Sequence, residues 1–367
     1  MRERAPTTPV EAVRARAFTV PTERPESDGT LEWDSTTIVV VDVEAGGARG
    51  LGYTYGDAAA ARVVESVLAP LVREADPLAP PATWAAMRGA VRNLGFAGVA
   101  AMAVAAVDVA LWDLRAKLLG LSLADSLGRR REAIPAYGSG GFTSLAGEDL
   151  AAHLRGFVDS GFDAVKIKVG RDPGEDRERL ATAREAIGPD RALMVDANGA
   201  FDRREAARQA EVYAGFDVVY LEEPVSSEDL EGLAWLRTRV PPGIAIAAGE
   251  YLWDLAEMGR MAPRVDVLQA DVTRCGGLTP LLRGVDGICA VHQVPFSAHC
   301  APQVSAHLCC AIERAVHVEY FHDHARIESL LFDGAIEPAG GRLRPDPDRP
   351  GLGLLLRDDA ARFSSDL

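Results

Sequence analysis

From Ile134 onward, short apolar runs alternate with stretches of helical period, and this alternation narrows the choice of fold more than any other feature. The runs are Ile134–Gly138, Ala164–Val169, Leu193–Asp196, Val218–Leu221, Ile244–Ala248, Val267–Ala270, Val294–Ala298 and Val316–Tyr320. Between them lie amphipathic segments such as Glu148–Ser160 and Arg203–Ala214. Runs this short, each followed by a helical pattern, predict buried parallel strands joined by crossover helices. The eight units close most economically into a parallel (β/α)8 barrel. A doubly wound sheet is the rival, but no glycine-rich phosphate loop opens a helix here.

The part before Ile134 has another texture. Ala12–Val20 and Thr36–Ala45 read as strands, separated by a polar loop at Pro21–Gly29, and Leu51–Gly56 reads as a loop or short strand. Helical patterns follow at Ala58–Glu74, Pro81–Arg92 and Gly98–Leu119, the last ending at Gly120, a natural stop. Strands followed by helices predict an α+β domain. The Pro-, Gly- and Asp-rich tail from Gly334 is expected to return and pack on it. The expected division is a capping domain over 1–130, completed by 325–367, and a barrel over 131–324.

Catalytic groups of such barrels stand at the C-terminal ends of the strands. Reading those ends in order yields Lys166 and Lys168, Asp196 with Asn198, Glu222-Glu223-Pro224, Gly249-Glu250, Asp271, His299 and Glu319. Lys166 and Lys168 alternate with Val165, Ile167 and Val169, so both ammonium groups share one face. Mutual repulsion and burial are expected to pull their pKa values down; the alternative is an edge strand with a solvated lysine face. Asp196, Glu222 and Glu250 form a hard oxygen set that suits Mg²⁺. A single acid at a strand end is ordinarily a helix cap. Three in consecutive units would repel one another without a cation. Asp271 and His299 lie about one β/α unit apart, which puts them on neighbouring strands.

The formal charge of −15 argues against nucleic acid or an anionic membrane as a partner, so an anionic substrate needs local positive charge. The apolar run Val99–Leu111 is short and contains Asp108, which suits a buried helix better than a membrane span. The five cysteines lack zinc-site or disulfide-scaffold spacing, and MRERAPTTPV has no apolar signal core. A cytoplasmic location is the expectation.

With those residues in view, the chain resembles the enolase superfamily, in its mandelate racemase subgroup. The resemblance rests on the ordered set VKIKVG, VDAN at 195–198, LEEP at 221–224, GE at 249–250, ADVTRCGG from Ala270, FSAHC with His299 and HVEY with Glu319. The helix AAVDVALWDLRAKLLG at 105–120 belongs to the same set. It covers nearly the whole chain and implies a modified (β/α)7β barrel under an α+β cap, so one strand–helix unit should be irregular. It implies Mg²⁺ held by Asp196, Glu222 and Glu250, and Lys168 as one acid/base with Lys166 beside it. It implies His299, supported by Asp271, as the other acid/base on the opposite face of the substrate. Glu319 would hydrogen-bond the substrate carboxylate, and a homo-oligomer is implied. Gln269-Ala270 and Cys275 depart from the family pattern, and Cys275 reads as a packing residue.

The implied reaction is abstraction of the proton α to a carboxylate, through an enediolate. Lys or His bases beside Mg²⁺ are the superfamily's established device for it. Acid-sugar dehydration is the first expectation, with His299 protonating the departing β-hydroxyl. Racemisation or epimerisation of a 2-hydroxy acid is the alternative, and a non-catalytic binding protein is the third. The polar loops Pro21–Gly29 and Leu51–Gly56, with Thr22, Glu23, Arg24, Tyr53 and Tyr55, are expected to close the mouth and favour a polyhydroxylated acid over an aromatic one. His322 and His324, close to Glu319, are candidates for substrate contact.

Overall fold

The computed structural model describes residues 8–365. Most of the opening stretch judged for a signal peptide, and the last two residues of the tail, lie outside them.

Three antiparallel strands, β1 (Ala12–Ser27), β2 (Glu32–Ala45) and β3 (Ala48–Tyr55), form the first sheet in the order β1-β2-β3. Both faces of β2 are covered, which explains its unbroken apolar run. Val39, Val41 and Val43 pack with the following helices, whereas Ile38 and Val40 join Phe18, Val20 and Tyr53 on the other side. The expected loop at Pro21–Gly29 is instead mostly strand. β1 continues to Ser27 through a register shift between Pro21 and Glu26, because Glu26 and Ser27 re-pair with Trp33 and Glu32. The expected helix Ala58–Glu74 is interrupted by a π-helical turn, Val64–Leu68, just before Pro70.

Helix Val99–Leu119 is alanine-rich and buried along most of its length, because it lies between the sheet and the second domain. It approaches β3 so closely that a Cβ on Gly52 would come 2.2 Å from the Ala106 carbonyl oxygen. It is fastened to the rest of the chain by buried carboxylates. Asp108 accepts from the Thr279 amide at 2.8 Å, and Asp113 accepts from the amides of Leu51 at 2.6 Å and Leu352 at 2.5 Å. No helix among the described residues is long and apolar enough to cross a membrane.

Eight parallel strands follow: β4 (Ile134–Gly140), β5 (Ala164–Lys168), β6 (Ala192–Asp196), β7 (Val218–Glu222), β8 (Ala245–Ala248), β9 (Val267–Ala270), β10 (Phe296–Ala298) and β11 (Ala315–Phe321). Pairing runs from β4 to β11 in sequence order, and β11 closes on β4 with Val318 opposite Ala136. Tyr137, Met194, Tyr220, Ala247 and Val267 fill the barrel interior. The irregular unit is the eighth. Helix His322–Leu331 starts directly after β11, and its Asp323 and Glu328 side chains take hydrogen bonds from Thr36 and Tyr53 of the first domain. The tail packs on both parts. Arg342–Leu343 pairs antiparallel with β4, while Ser364 bridges to Phe18.

Candidate active site

The strand register sets the site. Lys168 stands opposite Asp196, and Asp196 opposite Glu222, so three neighbouring strands end in charged residues at one level. The helix caps of these units are other residues. Asp202, Asp229 and Asp254 accept the first amides of the helices that follow β6, β7 and β8. Asp196, Glu222 and Glu250 are thereby free of capping duty, and all three are buried. At these strand ends Asn198, Glu223, Cys300 and Ala301 adopt φ values of +46°, +37°, +47° and +43°, an uncommon conformation for residues with a Cβ. Gly249 has φ +140°, and a Cβ there would meet the Gln269 carbonyl oxygen at 2.1 Å, so glycine is required before Glu250.

Lys166 is only 1% exposed, which removes the edge-strand alternative. Its Nζ donates to Glu222 Oε2 at 2.6 Å and lies 2.8 Å from Glu319 Oε1. Lys168 Nζ donates to Asp196 Oδ2 at 2.6 Å. The expectation of lowered lysine pKa values is corrected. Burial does act in that direction, but Glu222 and Glu319 around Lys166, and Asp196 beside Lys168, outweigh it and raise both. Two lysines on one face would repel each other in isolation, and the tertiary structure interleaves them with carboxylates. Glu222 bears the reciprocal strain: burial and the Asp196 charge push it up to about 8.

His299 stands across the mouth. Its Nδ1 is 2.8 Å from Asp271 Oδ2, and its Nε2 contacts Glu250 Oε2. Since a carboxylate only accepts, Nδ1 donates. Burial lowers the proton affinity of the ring, but Cys300, Glu250, Glu319 and the bond to Asp271 together raise it well above the usual histidine range. Asp271 is itself fixed by the Thr273 amide and hydroxyl, both at 2.7 Å. Glu319 accepts from Ser139 at 2.6 Å, and although burial opposes its charge, Lys166, His299 and Lys168 hold it well below the carboxylate range.

Lys168, Asn198, Glu250, His299 and Glu319 line one cavity of about 320 Å³. Lys166, Asp196 and Glu222 form the layer beneath it, and Asp271 lies behind His299. The donor set fits a hard divalent cation. Asp196, Glu222 and Glu250 supply oxygens only, and Glu222 Oε1 is buried without a hydrogen-bond partner.

Sequence reasoning missed several cavity residues. Arg274, within 3.6 Å of Asp271 and 3.9 Å of Glu250, was visible only as one residue of ADVTRCGG. Cys300, next to His299 in FSAHC, turns its thiol into the cavity, whereas Cys275 is fully buried in the core as a packing residue. The lid comes from Asp28, Leu31, Trp33, Thr36, Thr37 and Tyr55, not from the whole of the two polar loops. Tyr53 is fully buried against Glu328, and Glu23 and Arg24 line a separate hollow with His322. His324 does reach the cavity. It stacks on Tyr55 with centroids 3.4 Å apart, and burial pushes it down to about 3.

Comparison with known proteins is consistent along the chain. Residues 13–128 match the family described as mandelate racemase/muconate lactonizing enzyme, N-terminal domain, and residues 149–360 match the enolase C-terminal domain-like family. The curated L-talarate/galactarate dehydratase of Salmonella typhimurium is 30% identical, covering 97% of this chain and 91% of its own. A crystal structure of a mandelate racemase/muconate lactonizing enzyme-like protein from Rubrobacter xylanophilus is 59% identical with a TM-score of 0.96, covering 97% of this chain and all of that one. The L-talarate dehydratase of Polaromonas sp. JS666, complexed with Mg and L-glucarate, is 31% identical with a TM-score of 0.87 and 98% coverage of both chains.

Proposed function

Because this chain belongs to the enolase superfamily, in its mandelate racemase/muconate lactonizing enzyme group, we propose that it removes the α-proton of a polyhydroxylated carboxylate and expels the β-hydroxyl, an acid-sugar dehydration. The observation that carries this reading is that Lys168 and His299 line one cavity together with Glu250 and Glu319. Two groups able to exchange protons thus border the space a substrate would fill. One relative complexed with Mg, the L-talarate dehydratase, holds L-glucarate, and the oxygen donors here suit the same ion.

Asp196, Glu222 and Glu250 would hold Mg²⁺. When bound, the ion supplies Lewis-acid neutralisation of the charge that deprotonation adds to the substrate carboxylate. The remaining work falls to the chain. Lys168, which Asp196 keeps protonated in this structure, takes the α-proton only after giving up its own, and Asp196 holds the nitrogen in place at 2.6 Å. His299, protonated on both nitrogens, gives the Nε2 proton to the leaving β-hydroxyl, while Asp271 keeps the ring oriented through Nδ1. Glu319 is ionised by its neighbours, so it donates to a substrate carboxylate only after gaining a proton. Lys166, 2.8 Å away, is the main group that keeps it ionised. The lid residues Asp28, Thr36, Thr37 and Tyr55 offer polar atoms to a hydroxyl-rich chain, with Trp33 and Leu31 covering its carbon skeleton. In this division of labour the cap, 1–130 with 325–367, selects the substrate and the barrel, 131–324, transforms it.

The same bases serve racemisation of a 2-hydroxy acid, which the absence of a β-hydroxyl on the true substrate would favour. A side-by-side assay of hexonates, hexarates and mandelate for 2-keto product or α-proton exchange tests the reading. Dehydration of a sugar acid is expected. Turnover of mandelate with none of the sugar acids would replace it by racemisation.

A further inference from the structure

Cys300 has no part in the reaction described above, yet its thiol occupies the cavity beside the two groups that do. Its Sγ lies 3.3 Å from His299 Nε2 and 3.5 Å from Glu319 Oε2, and those two atoms are 3.6 Å apart. Zinc bonds of about 2.3 Å to sulfur, 2.05 Å to nitrogen and 2.1 Å to oxygen at the tetrahedral angle place such ligand pairs about 3.4–3.6 Å apart. The triangle therefore has the dimensions of one face of a tetrahedral zinc site. The three side chains are all buried and all open onto the cavity, where Glu250, whose Oε2 contacts Nε2, borders the fourth position together with solvent or substrate.

Two further features make the triangle a ligand set. Asp271 accepts from Nδ1 of His299, so Nε2 is the nitrogen aimed at the triangle, and a carboxylate behind the imidazole is the usual support of a zinc-bound histidine. The backbone is also committed. Cys300 and Ala301 follow one another with φ +47° and +43°, a turn that folds Sγ back over the imidazole of the preceding residue.

The geometry points to a second, soft-metal site at His299, Cys300 and Glu319 that binds Zn²⁺ and excludes Mg²⁺. Sulfur and nitrogen donors select zinc, whereas the all-oxygen set of Asp196, Glu222 and Glu250 selects magnesium. Binding breaks the S–H bond of Cys300 and the Nε2–H bond of His299, releases both protons to solvent and forms zinc–thiolate and zinc–imidazole bonds, with no change of oxidation state. Zinc on Nε2 occupies the lone pair that His299 needs to exchange a proton, so the metal inhibits turnover. The binding rests on the geometry alone; the inhibition rests on the role of His299 proposed above.

The test uses the full chain saturated with Mg²⁺ and titrated with Co²⁺ as a spectroscopic stand-in for Zn²⁺. One equivalent of Co²⁺ should produce the intense visible bands of tetrahedral coordination and a near-ultraviolet thiolate-to-cobalt band, and Zn²⁺ should displace both. Cys300→Ala and the near-isosteric Cys300→Ser should lose the thiolate band, bind Zn²⁺ about 100-fold more weakly and still bind Mg²⁺, which also shows that they fold. Weak octahedral cobalt bands in the wild type, or equal Zn²⁺ affinity in wild type and variants, would overturn the site. If the spectra agree but Zn²⁺ leaves turnover unchanged, the site stands and the role of His299 in catalysis falls.

Discussion

Asp271 and His299 are 28 residues apart in sequence, yet Oδ2 of the one lies 2.8 Å from Nδ1 of the other. The bond selects the tautomer and orientation of the imidazole and raises its proton affinity. Asp271→Asn is expected to lower kcat about 10- to 100-fold while moving KM little, because the carboxylate acts through the ring and does not touch substrate. Removing a charge that raises the His299 pKa lowers it. The pH limb that reports His299 should therefore shift towards acid, and a shift towards alkali would contradict the account.

Lys168 and His299 border the same cavity from different strands. Each of Lys168→Ala and His299→Asn is expected to reduce turnover about 10²- to 10⁴-fold, the usual contribution of one acid or base. In D₂O, one of the two variants should still exchange the α-proton, which NMR of the recovered substrate would reveal. Wild-type rates in both would remove them from the mechanism.

Glu222 Oε1 is a buried oxygen without a partner, and burial and the Asp196 charge push its carboxyl up to about 8. A divalent cation relieves both conditions. Titration calorimetry should find one Mg²⁺ per chain, weakened at least about tenfold by Glu222→Gln or Asp196→Asn. Mg²⁺ at 100 times its Kd should stabilise the native state by about 2.7 kcal/mol, read as a rise in Tm that Glu222→Gln largely abolishes.

Glu26 accepts from the indole of Trp33 at 3.0 Å, and burial together with nearby Asp323 raises it to about 8 from an ordinary value of 4.5. The folded chain keeps this proton to higher pH than the unfolded chain does. The stability from Glu26 is thus complete below about 4.5 and is lost as pH rises towards 8, by at most about 1.4 kcal/mol per unit. Glu26→Gln, whose carbonyl still accepts from Trp33, should flatten that decline in urea denaturation series run from pH 5 to about 9. An unchanged slope would show that Glu26 does not carry it.

Gly52 touches helix Val99–Leu119 where a Cβ would meet the Ala106 oxygen at 2.2 Å and the Ala110 nitrogen at 2.4 Å. Both obstacles are backbone and cannot swing aside. Gly52→Ala should cost about 1–3 kcal/mol in denaturant unfolding.

Much of this molecule was legible in its chain. The eight barrel strands emerged within a residue or two at most of their ends, because each is a short apolar run bounded by polar residues. The candidate site residues Asp196, Glu222, Glu250, Asp271, His299 and Glu319 were legible for a related reason: each stands within two residues of a strand end, and in a parallel barrel those ends border the mouth. What a strand end faces across the mouth depends on closure, and no local pattern encodes it. Closure interleaves Lys166 and Lys168 with Glu222, Glu319 and Asp196, which reverses the pKa shift expected for a lysine pair. Closure also brings Cys300 beside Glu319, a neighbour 19 residues away. The lid was legible only in part: Asp28, Tyr55 and Gly56 come from the two expected loops, but the extension of β1 to Ser27 is held by cross-strand pairing with Glu32 and Trp33, a tertiary gain that polar Pro21–Ser27 does not advertise. Periodicity and strand-end chemistry, both local, were settled by the sequence; charge balance, proton affinities and the shape of the cavity were decided only by the folded structure, since each depends on groups brought together from distant strands.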